Sequence, residues 1–236
     1  MTIAVLLASV VKDDRAAAEL VRAADFVVAA DGGASHAARL GLRVDVLAGD
    51  FDSADPAVLD AMEKDGARVV RVPTAKDETD GELACRLALE EASRRHAESV
   101  TLLVIGALGG RTDHEAATIL HLAGLAECGH RIMATDGETA IYLLVGPTSL
   151  DIVWPPAGHA AEAWYVSSIA LKGDVTGLAY TGLCYPLQDF TLPFGSTRGV
   201  SNEPADPADA RFSVSLKSGL LAVIVTPRRD LRPEEL

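Results

Sequence analysis

The sequence feature that most constrains the fold is a buried strand that runs through a glycine-rich turn into a helix. Residues 100–105 are apolar and rich in β-branched side chains, residues 106–110 contain three glycines, and an apolar-periodic segment follows. Thr112 and Glu115 fit a capping box that opens this helix. Backbone amides at a helix start favour anions, and Arg111 adds a fixed cation, so the turn is predicted to bind phosphate.

The first 146 residues alternate strand-like and helical segments. Apolar strand-like runs recur at residues 3–8, 26–30, 44–48, 68–72, 100–105, 131–134 and 140–145. Amphipathic segments separate most of them, and two begin at helix-start signals, Asp55 followed by Pro56 and Thr79 followed by Glu82. Such alternation is typical of an open, largely parallel sheet with flanking helices.

The sequence pattern changes after Gly146. Short β-rich runs without a helical period follow, at residues 151–154, 164–171, 188–192, 211–216 and 220–225. We therefore predict an α/β domain at residues 1–146 and an all-β domain, a sandwich or barrel, at residues 147–236.

Charge and composition exclude several classes of protein. The net charge of −13 and the lack of a Lys/Arg run argue against nucleic acid as a partner, whereas a cationic small substrate suits this field. The chain has no apolar stretch of membrane-spanning length and no secretory signal pattern, so a cytoplasmic protein without a membrane partner is expected. The three cysteines are scattered, which favours buried free thiols over a disulfide framework or a zinc site.

Four polar loops each follow a predicted strand, at residues 31–33, 49–53, 76–80 and 106–113. In an open parallel sheet, ligands bind outside the carboxyl ends of the strands, so the four loops are expected to share one crevice. Several carboxylates would then meet, and a hard divalent cation such as Mg²⁺ would relieve their repulsion. Each loop alone is also explained as a turn, a cap or a loop acid. Their joint occurrence favours a phosphate and metal site.

The ordered motifs in these loops resemble those of the thiamine pyrophosphokinase family. The matching segments are Ala30-Asp-Gly-Gly-Ala34, Gly49-Asp-Phe-Asp-Ser53, Lys76-Asp-x-Thr-Asp80 and Gly106-Ala-Leu-Gly-Gly-Arg-x-Asp-His114. The second half is similar too, at Val175-Thr-Gly-Leu-Ala-Tyr-Thr-Gly-Leu-x-Tyr-Pro-Leu187 and Gly199-Val-Ser-Asn-Glu203. The resemblance covers nearly the whole chain, although the stretch 154–164 is longer and richer in alanine than the family pattern.

This resemblance implies a fold, an assembly and a reaction. The implied fold is an α/β catalytic domain followed by a β-sandwich that binds thiamine and dimerises, in a homodimer with active sites between subunits. The implied enzyme is a thiamine diphosphokinase, which moves the β,γ-pyrophosphoryl group of ATP to the hydroxyethyl oxygen of thiamine and releases AMP.

The resemblance also assigns roles to residues of this sequence. Mg²⁺ would be held by Asp50, Asp52 and Asp80. The nucleotide would be lined by Asp31, Gly32, Gly33, Lys76, Gly109, Gly110 and Arg111. Thiamine would be contacted by Asp113, Ser201 and Asn202. If the transfer uses a general base, the candidates are Asp113 and Asp80, with His114 a poorer one.

Two other functions remain open at this point. The nearer one is a pyrophosphokinase for another hydroxymethyl heterocycle, such as a pterin, because the N-terminal loops mainly fit ATP and metal. The more distant one is a regulator that binds nucleotide without turnover. For Ser201 and Asn202, an Asx-type turn is the alternative to a substrate contact.

Overall fold

The computed structural model describes residues 1–51, 55–73, 77–153, 164–206 and 211–228. They form two units, Met1–Glu138 and a second unit that begins at Thr139. Asp52, Lys76 and most of the alanine-rich stretch lie outside the described residues, so the predictions made for them stay predictions.

The first unit is an α/β sheet whose described strands are all parallel. Its strands are β1 (Thr2–Leu6), β2 (Phe26–Ala30), β3 (Val46–Gly49), β4 (Arg68–Arg71), β5 (Thr101–Ile105) and β6 (Arg131–Thr135). Its helices are α1 (Asp14–Arg22), α2 (Gly33–Arg39), α3 (Pro56–Lys64), α4 (Asp80–Arg94) and α5 (Thr112–Glu127). The strand order is β4-β3-β2-β1-β5-β6. The chain therefore moves outward from β1 to β4 and then returns to the other side of β1, which creates a topological switch point between β1 and β5.

Helices cover both faces of this sheet, which explains why β1 and β2 are continuous apolar runs. On one face, alternate residues of β1 and β2 pack with small apolar residues of α1 and α2 in a core cluster. On the other face, α4 packs against β1, β2 and β3. None of the described helices combines the length and the apolar character that a membrane crossing requires.

Two of the predicted helix starts are confirmed. The Asp55 carboxylate accepts a hydrogen bond from Ala57 N, and Pro56 is the first residue of α3. The Thr79 hydroxyl accepts one from Glu82 N at the start of α4. Each cap satisfies an amide that has no partner within its helix, so these loops end at defined residues.

The described strands of the second unit pair antiparallel. They are β7 (Ala140–Val145), β8 (Thr148–Val153), β9 (Trp164–Thr181), β10 (Phe190–Leu192), β11 (Arg211–Leu216) and β12 (Ser218–Pro227). The order is β7-β12-β9-β11-β8, with β10 paired to β9. Strand β9 pairs with β12 along residues 164–176 and with β11 along residues 179–181, so it belongs to two groups of strands.

The all-β character of the second half is confirmed, but the units divide earlier than the predicted boundary at residue 146. β7 pairs with β12 from Ala140 to Val145, and this ladder places it in the second unit. Its sequence is as apolar as that of the parallel strands, so composition alone assigned it to the first domain. The cysteines also differ from expectation, because Cys85 is buried whereas Cys128 and Cys184 are exposed.

Candidate active site

The loops that follow β1 and β5 lie directly against each other at the switch point. Ser9 N donates to Gly106 O at 3.1 Å, and Val10 N donates to Leu108 O at 3.3 Å. A Cβ on Gly106 would lie 2.5 Å from Leu7 O, and its φ is +71°. No other residue fits here, so this glycine is required by both the backbone angle and the close approach.

The glycine turn, residues 106–110, leads into α5 but does so differently from the predicted capping box. The N-cap residue is Arg111, whose side chain makes no capping bond, and Thr112 is already helical. The Glu115 carboxylate instead accepts from Gly109 N at 3.1 Å. The capping-box prediction for Thr112 and Glu115 is therefore wrong. The Glu115 side chain extends beyond the start of α5, and its hydrogen bond with Gly109 N stabilises the glycine turn.

Arg111 and Asp113 form a two-pronged ion pair at the first turn of α5. Arg111 Nε and Nη2 donate to the two Asp113 carboxylate oxygens at 3.1 and 2.7 Å, and both side chains are exposed. The Arg111 hydrogen bonds lower the pKa of Asp113 to about 2. Asp113 is accordingly a stable anion and a weak base while this pair persists.

Two of the acidic loops meet around Gly49. A Cβ on Gly49 would lie 3.3 Å from Asp31 Cβ and 3.3 Å from Asp80 Oδ1. The carboxylate-bearing ends of β2 and α4 therefore flank Gly49, and Asp50 follows it directly. This much of the predicted convergence of acidic loops is observed.

The turn after β2 is pressed onto β1. A Cβ on Gly33 would lie 2.2 Å from Leu6 O, and one on Gly32 would lie 2.9 Å from Ala8 Cβ. Asp31 itself has a φ of +42°, a left-handed conformation that aspartate tolerates better than most residues. The Asp-Gly-Gly sequence is thus explained by close packing of the turn against the end of β1 and against Ala8.

Phe51 anchors the loop that carries Asp50 and Asp52. Its ring is buried in the core cluster, and the Arg71 guanidinium lies 5.3 Å from the ring centroid. Its φ is +57°, which is strained for an aromatic residue. The buried Phe51 ring holds the backbone directly after Asp50, whose own side chain stays half-exposed.

The donor set fits a hard divalent cation, because carboxylate oxygens are the ligands that Mg²⁺ prefers. Asp80 Oδ1 lies 3.3 Å from the Cβ position of Gly49, and Gly49 directly precedes Asp50 in the chain. The described residues bring no three His, Cys, Asp or Glu side chains into one metal-binding group. Asp52, the third predicted ligand, is outside the described residues.

A cavity of about 360 Å³ lies between the N-terminal parts of α4 and α5. Its wall includes Leu7, which follows β1, and Thr79, the cap residue of α4. Glu82 of α4 and Asp113 and His121 of α5 complete the part of the wall that concerns the site. A larger hollow, of about 750 Å³, lies between α2 and α3. The larger hollow is lined in part by residues that precede β3, and none of the predicted site residues lines it. The smaller cavity is therefore the better candidate for a substrate site.

In the second unit, Asn202 is buried and its side chain is engaged by backbone. Its Oδ1 accepts from Tyr185 N at 3.0 Å and from Glu203 N at 2.9 Å, and its Nδ2 donates to Tyr185 O at 2.9 Å. Ser201 N donates to Ser167 Oγ at 3.1 Å, with a φ of +62° at Ser201. The side-chain amide of Asn202 therefore makes hydrogen bonds with both the backbone N–H and the backbone C=O of Tyr185.

Sequence reasoning missed Tyr185 as a functional candidate. Its side chain is 69% exposed although its backbone is fixed by Asn202. An exposed aromatic ring on a rigid backbone suits stacking on a flat ligand. The signal was present in the motif Leu183-x-Tyr185-Pro186, but the link to Asn202 spans seventeen residues and only the fold reveals it.

Comparisons with known proteins agree with these observations. The family model for the thiamin pyrophosphokinase catalytic domain matches residues 17–134, and the model for its vitamin B1 binding domain matches residues 157–221. The chain is 28% identical over 180 residues to thiamine pyrophosphokinase of Bacillus subtilis, covering 75% of each chain. It is 27% identical to thiamine pyrophosphokinase 1 of Oryza sativa subsp. japonica, but spans only 60% of that relative's length.

Solved structures show the same fold. The crystal structure of thiamine pyrophosphokinase from Bacillus subtilis matches with a TM-score of 0.76 at 25% identity, over 97% of this chain and 100% of that one. Thiamin pyrophosphokinase from Candida albicans matches with a TM-score of 0.75 at 18% identity, over 95% of this chain and 90% of that one.

Proposed function

The chain belongs to the thiamine pyrophosphokinase family, and we propose that this enzyme transfers the β,γ-pyrophosphoryl group of ATP to the hydroxyethyl oxygen of thiamine. The thiamine oxygen forms a bond to the β-phosphorus, the bond from that phosphorus to the α,β-bridging oxygen breaks, and the hydroxyl proton is released. The products are thiamine diphosphate and AMP. The observation that carries the proposal is the glycine turn with Arg111 and Asp113 at the switch point of the sheet.

Positioning and charge neutralisation dominate such a transfer, because the reaction leaves little covalent work for protein groups. Bound Mg²⁺ would neutralise phosphate charge, with Asp50, Asp52 and Asp80 as its proposed ligands. The nucleotide would be held by Asp31, Gly32, Gly33, Lys76, Gly109, Gly110 and Arg111. ATP as the donor favours the cytoplasm as the site of the reaction.

Arg111 changes partner in this proposal. Its guanidinium binds Asp113 in the structure, and a phosphate oxygen offers a stronger, more highly charged acceptor. Transfer of the guanidinium to phosphate would return the pKa of Asp113 toward its ordinary range. Asp113 could then bind thiamine and take the hydroxyl proton as a general base.

Ser201, Asn202 and Tyr185 form the proposed thiamine contact of the second unit. Asn202 acts mainly through Tyr185, because its oxygen already accepts two backbone hydrogen bonds. We expect Tyr185→Ala to raise the KM for thiamine about tenfold and to leave ATP binding unchanged, whereas Tyr185→Phe should be nearly normal. Asn202→Ala should resemble Tyr185→Ala and also lower the melting temperature. Normal thiamine kinetics in Tyr185→Ala would remove the ring from the site.

The proposed assembly is a homodimer with active sites shared between subunits. Strand β8 pairs only with β11 among the described strands, and Val153 on this edge strand is 64% exposed. An open sheet edge of this kind is commonly covered in a symmetric dimer. Light scattering should give twice the chain mass of 24.7 kDa, and a single chain mass at micromolar concentration would contradict the dimer.

Mixing Asn202→Ala with Asp52→Asn subunits should restore activity if each active site draws on residues of both chains.

The decisive experiment follows ATP consumption and AMP release with Mg²⁺ against a panel of heterocyclic alcohols. We expect AMP and thiamine diphosphate in equal amounts, and only when thiamine is present. AMP release that depends on a pterin alcohol instead would favour the related pyrophosphokinase. ATP binding without any turnover on the whole panel would favour the regulator.

A further inference from the structure

We propose that His36 is a positioning residue that orders the phosphate-binding turn through a single peptide group of the β1 loop. His36 lies on α2, one turn after the Asp31-Gly32-Gly33 sequence, and Nε2 of its ring is 2.7 Å from Ser9 O. The inference rests on the proposed function, because that function assigns the glycine turn to ATP. The loop from Leu7 to Val10 is called the β1 loop below.

The partners of His36 determine which ring nitrogen carries the proton. Arg39 Nη2 lies 3.1 Å from His36 Nδ1, and a guanidinium can only donate, so Nδ1 is the acceptor. Ser9 O can only accept, so Nε2 bears the hydrogen and donates it. Arg39 is itself held by the Asp14 carboxylate. The ring is therefore a neutral imidazole of defined tautomer with both nitrogens engaged.

The peptide group that His36 holds also contacts the glycine turn. Ser9 O and Val10 N belong to the same planar unit, and Val10 N donates to Leu108 O at 3.3 Å. His36 fixes one end of this plane and Leu108 binds the other. The orientation of this peptide group therefore depends on hydrogen bonds with both α2 and the glycine turn.

The β1 loop also supports the two glycines assigned to phosphate. A Cβ on Gly110 would lie 3.3 Å from Ser9 Oγ, and one on Gly109 would lie 3.2 Å from Val10 Cγ2. Ser9 and Val10 therefore form the surface on which these glycines rest. Displacement of Ser9 would shift the backbone amides of the turn relative to the phosphates.

This geometry predicts an effect on ATP and not on thiamine. His36→Leu removes the donor to Ser9 O, and loss of one partly buried hydrogen bond corresponds to about a tenfold change. We expect the Kd for Mg-ATP in the binary complex and the KM for ATP to rise about tenfold. The KM for thiamine should change less than twofold. His36→Gln, whose amide can still donate to Ser9 O, should recover most of the ATP affinity.

Two further variants make the test specific. Arg39→Met leaves the imidazole but removes the partner of Nδ1, so a smaller rise in the Kd for Mg-ATP, about threefold, is expected. His96→Asn is the matched control, because His96 is exposed beyond the end of α4 and Asn tolerates its φ of +53°. It should bind ATP as the unchanged protein does. Nitrogen NMR of the unchanged protein should show His36 with its proton on Nε2.

Direct measurement of Mg-ATP binding by calorimetry separates the failure of this inference from the failure of the proposed function. If the unchanged protein does not bind ATP, the proposed function fails. If it binds ATP and folded His36→Leu binds equally well, the positioning role is overturned. A parallel loss of thiamine and ATP affinity, or no recovery in His36→Gln, would also overturn it. Should His36→Leu not fold, the comparison of Arg39→Met with His96→Asn decides.

Discussion

Asp50 and Asp52 belong to one short loop, and their proposed role is metal binding and not loop stability. Replacing either carboxylate with an amide, Asp50→Asn or Asp52→Asn, should reduce turnover by orders of magnitude. The melting temperature of the ligand-free protein should stay constant or rise, because repulsion among the clustered carboxylates is relieved. Activity at saturating Mg²⁺ and thermal unfolding are the two measurements. Near-normal turnover in both variants would remove these residues from the site.

Gly33 is a residue at which the fold tolerates little change. Gly33→Ala would place a Cβ 2.2 Å from Leu6 O at the end of the buried strand β1, so we expect a loss of about 1–3 kcal/mol in the free energy of unfolding. Gly124→Ala is the matched control, because Gly124 is also helical and nothing lies within 4 Å of its Cβ position. That change should stabilise by about 0.5–1 kcal/mol. Equal stability of the two variants in denaturant unfolding would contradict the packing described here.

At the scale of elements, the C-terminal part of α4 carries an acid with two arginine partners. Glu91 contacts Arg94 and Arg95, and these hydrogen bonds lower the pKa of Glu91 from 4.5 to about 2. Since the folded pKa is depressed, the stabilisation is fully present above the unfolded value and is lost as pH falls toward about 2. Glu91→Gln should therefore cost on the order of 1 kcal/mol at pH 6, and this difference should shrink by pH 3.

Denaturant unfolding of both proteins at pH 6, 4 and 3 checks this dependence. Glu90→Gln provides the control, because Glu90 is more exposed and its only described ion pair is with Arg86. A difference for Glu91→Gln that stays constant with pH would show that the ion pairs do not stabilise α4.

Most elements and their order followed from the sequence, because strands and helices have local periods and some helices have local start signals. Asp55 and Thr79 cap helices as predicted, since capping depends only on residues within one turn. Thr112 does not cap α5, and the Glu115 carboxylate accepts a hydrogen bond from Gly109 N in the glycine turn instead. A competition between two nearby backbone N–H donors for one carboxylate is not encoded in residue spacing.

The loops of the candidate site were predictable from the sequence, whereas the contacts that hold these loops in place were not. Asp31, Gly49 and Asp80 were expected to meet because they follow neighbouring strands, and the packing around Gly49 places them together. The contacts of His36 with Ser9 and of Asn202 with Tyr185 join separate elements. Their existence depends on how helices and loops pack, so no motif in the sequence indicates them.

For the whole molecule, the net charge of −13 should act oppositely on the two proposed substrates. Thiamine is a cation and Mg-ATP is an anion, so the protein's field attracts one and repels the other. Raising KCl from low concentration to about 0.3 M screens this field beyond roughly one Debye length, 5–10 Å. We expect kcat/KM to fall a few-fold for thiamine and to rise for Mg-ATP. Initial rates at constant pH provide the measurement, and parallel changes for both substrates would contradict the expectation.

Strand β9 has a consequence for how the chain can be divided. Because residues 164–181 complete both groups of strands in the second unit, a break inside β9 separates two ladders that share one backbone. Fragments cut there would each keep an incomplete sheet, whereas a cut in the stretch between β9 and β10 leaves the shared strand whole. A split version of this protein should therefore reassemble from two pieces only when one piece carries all of β9.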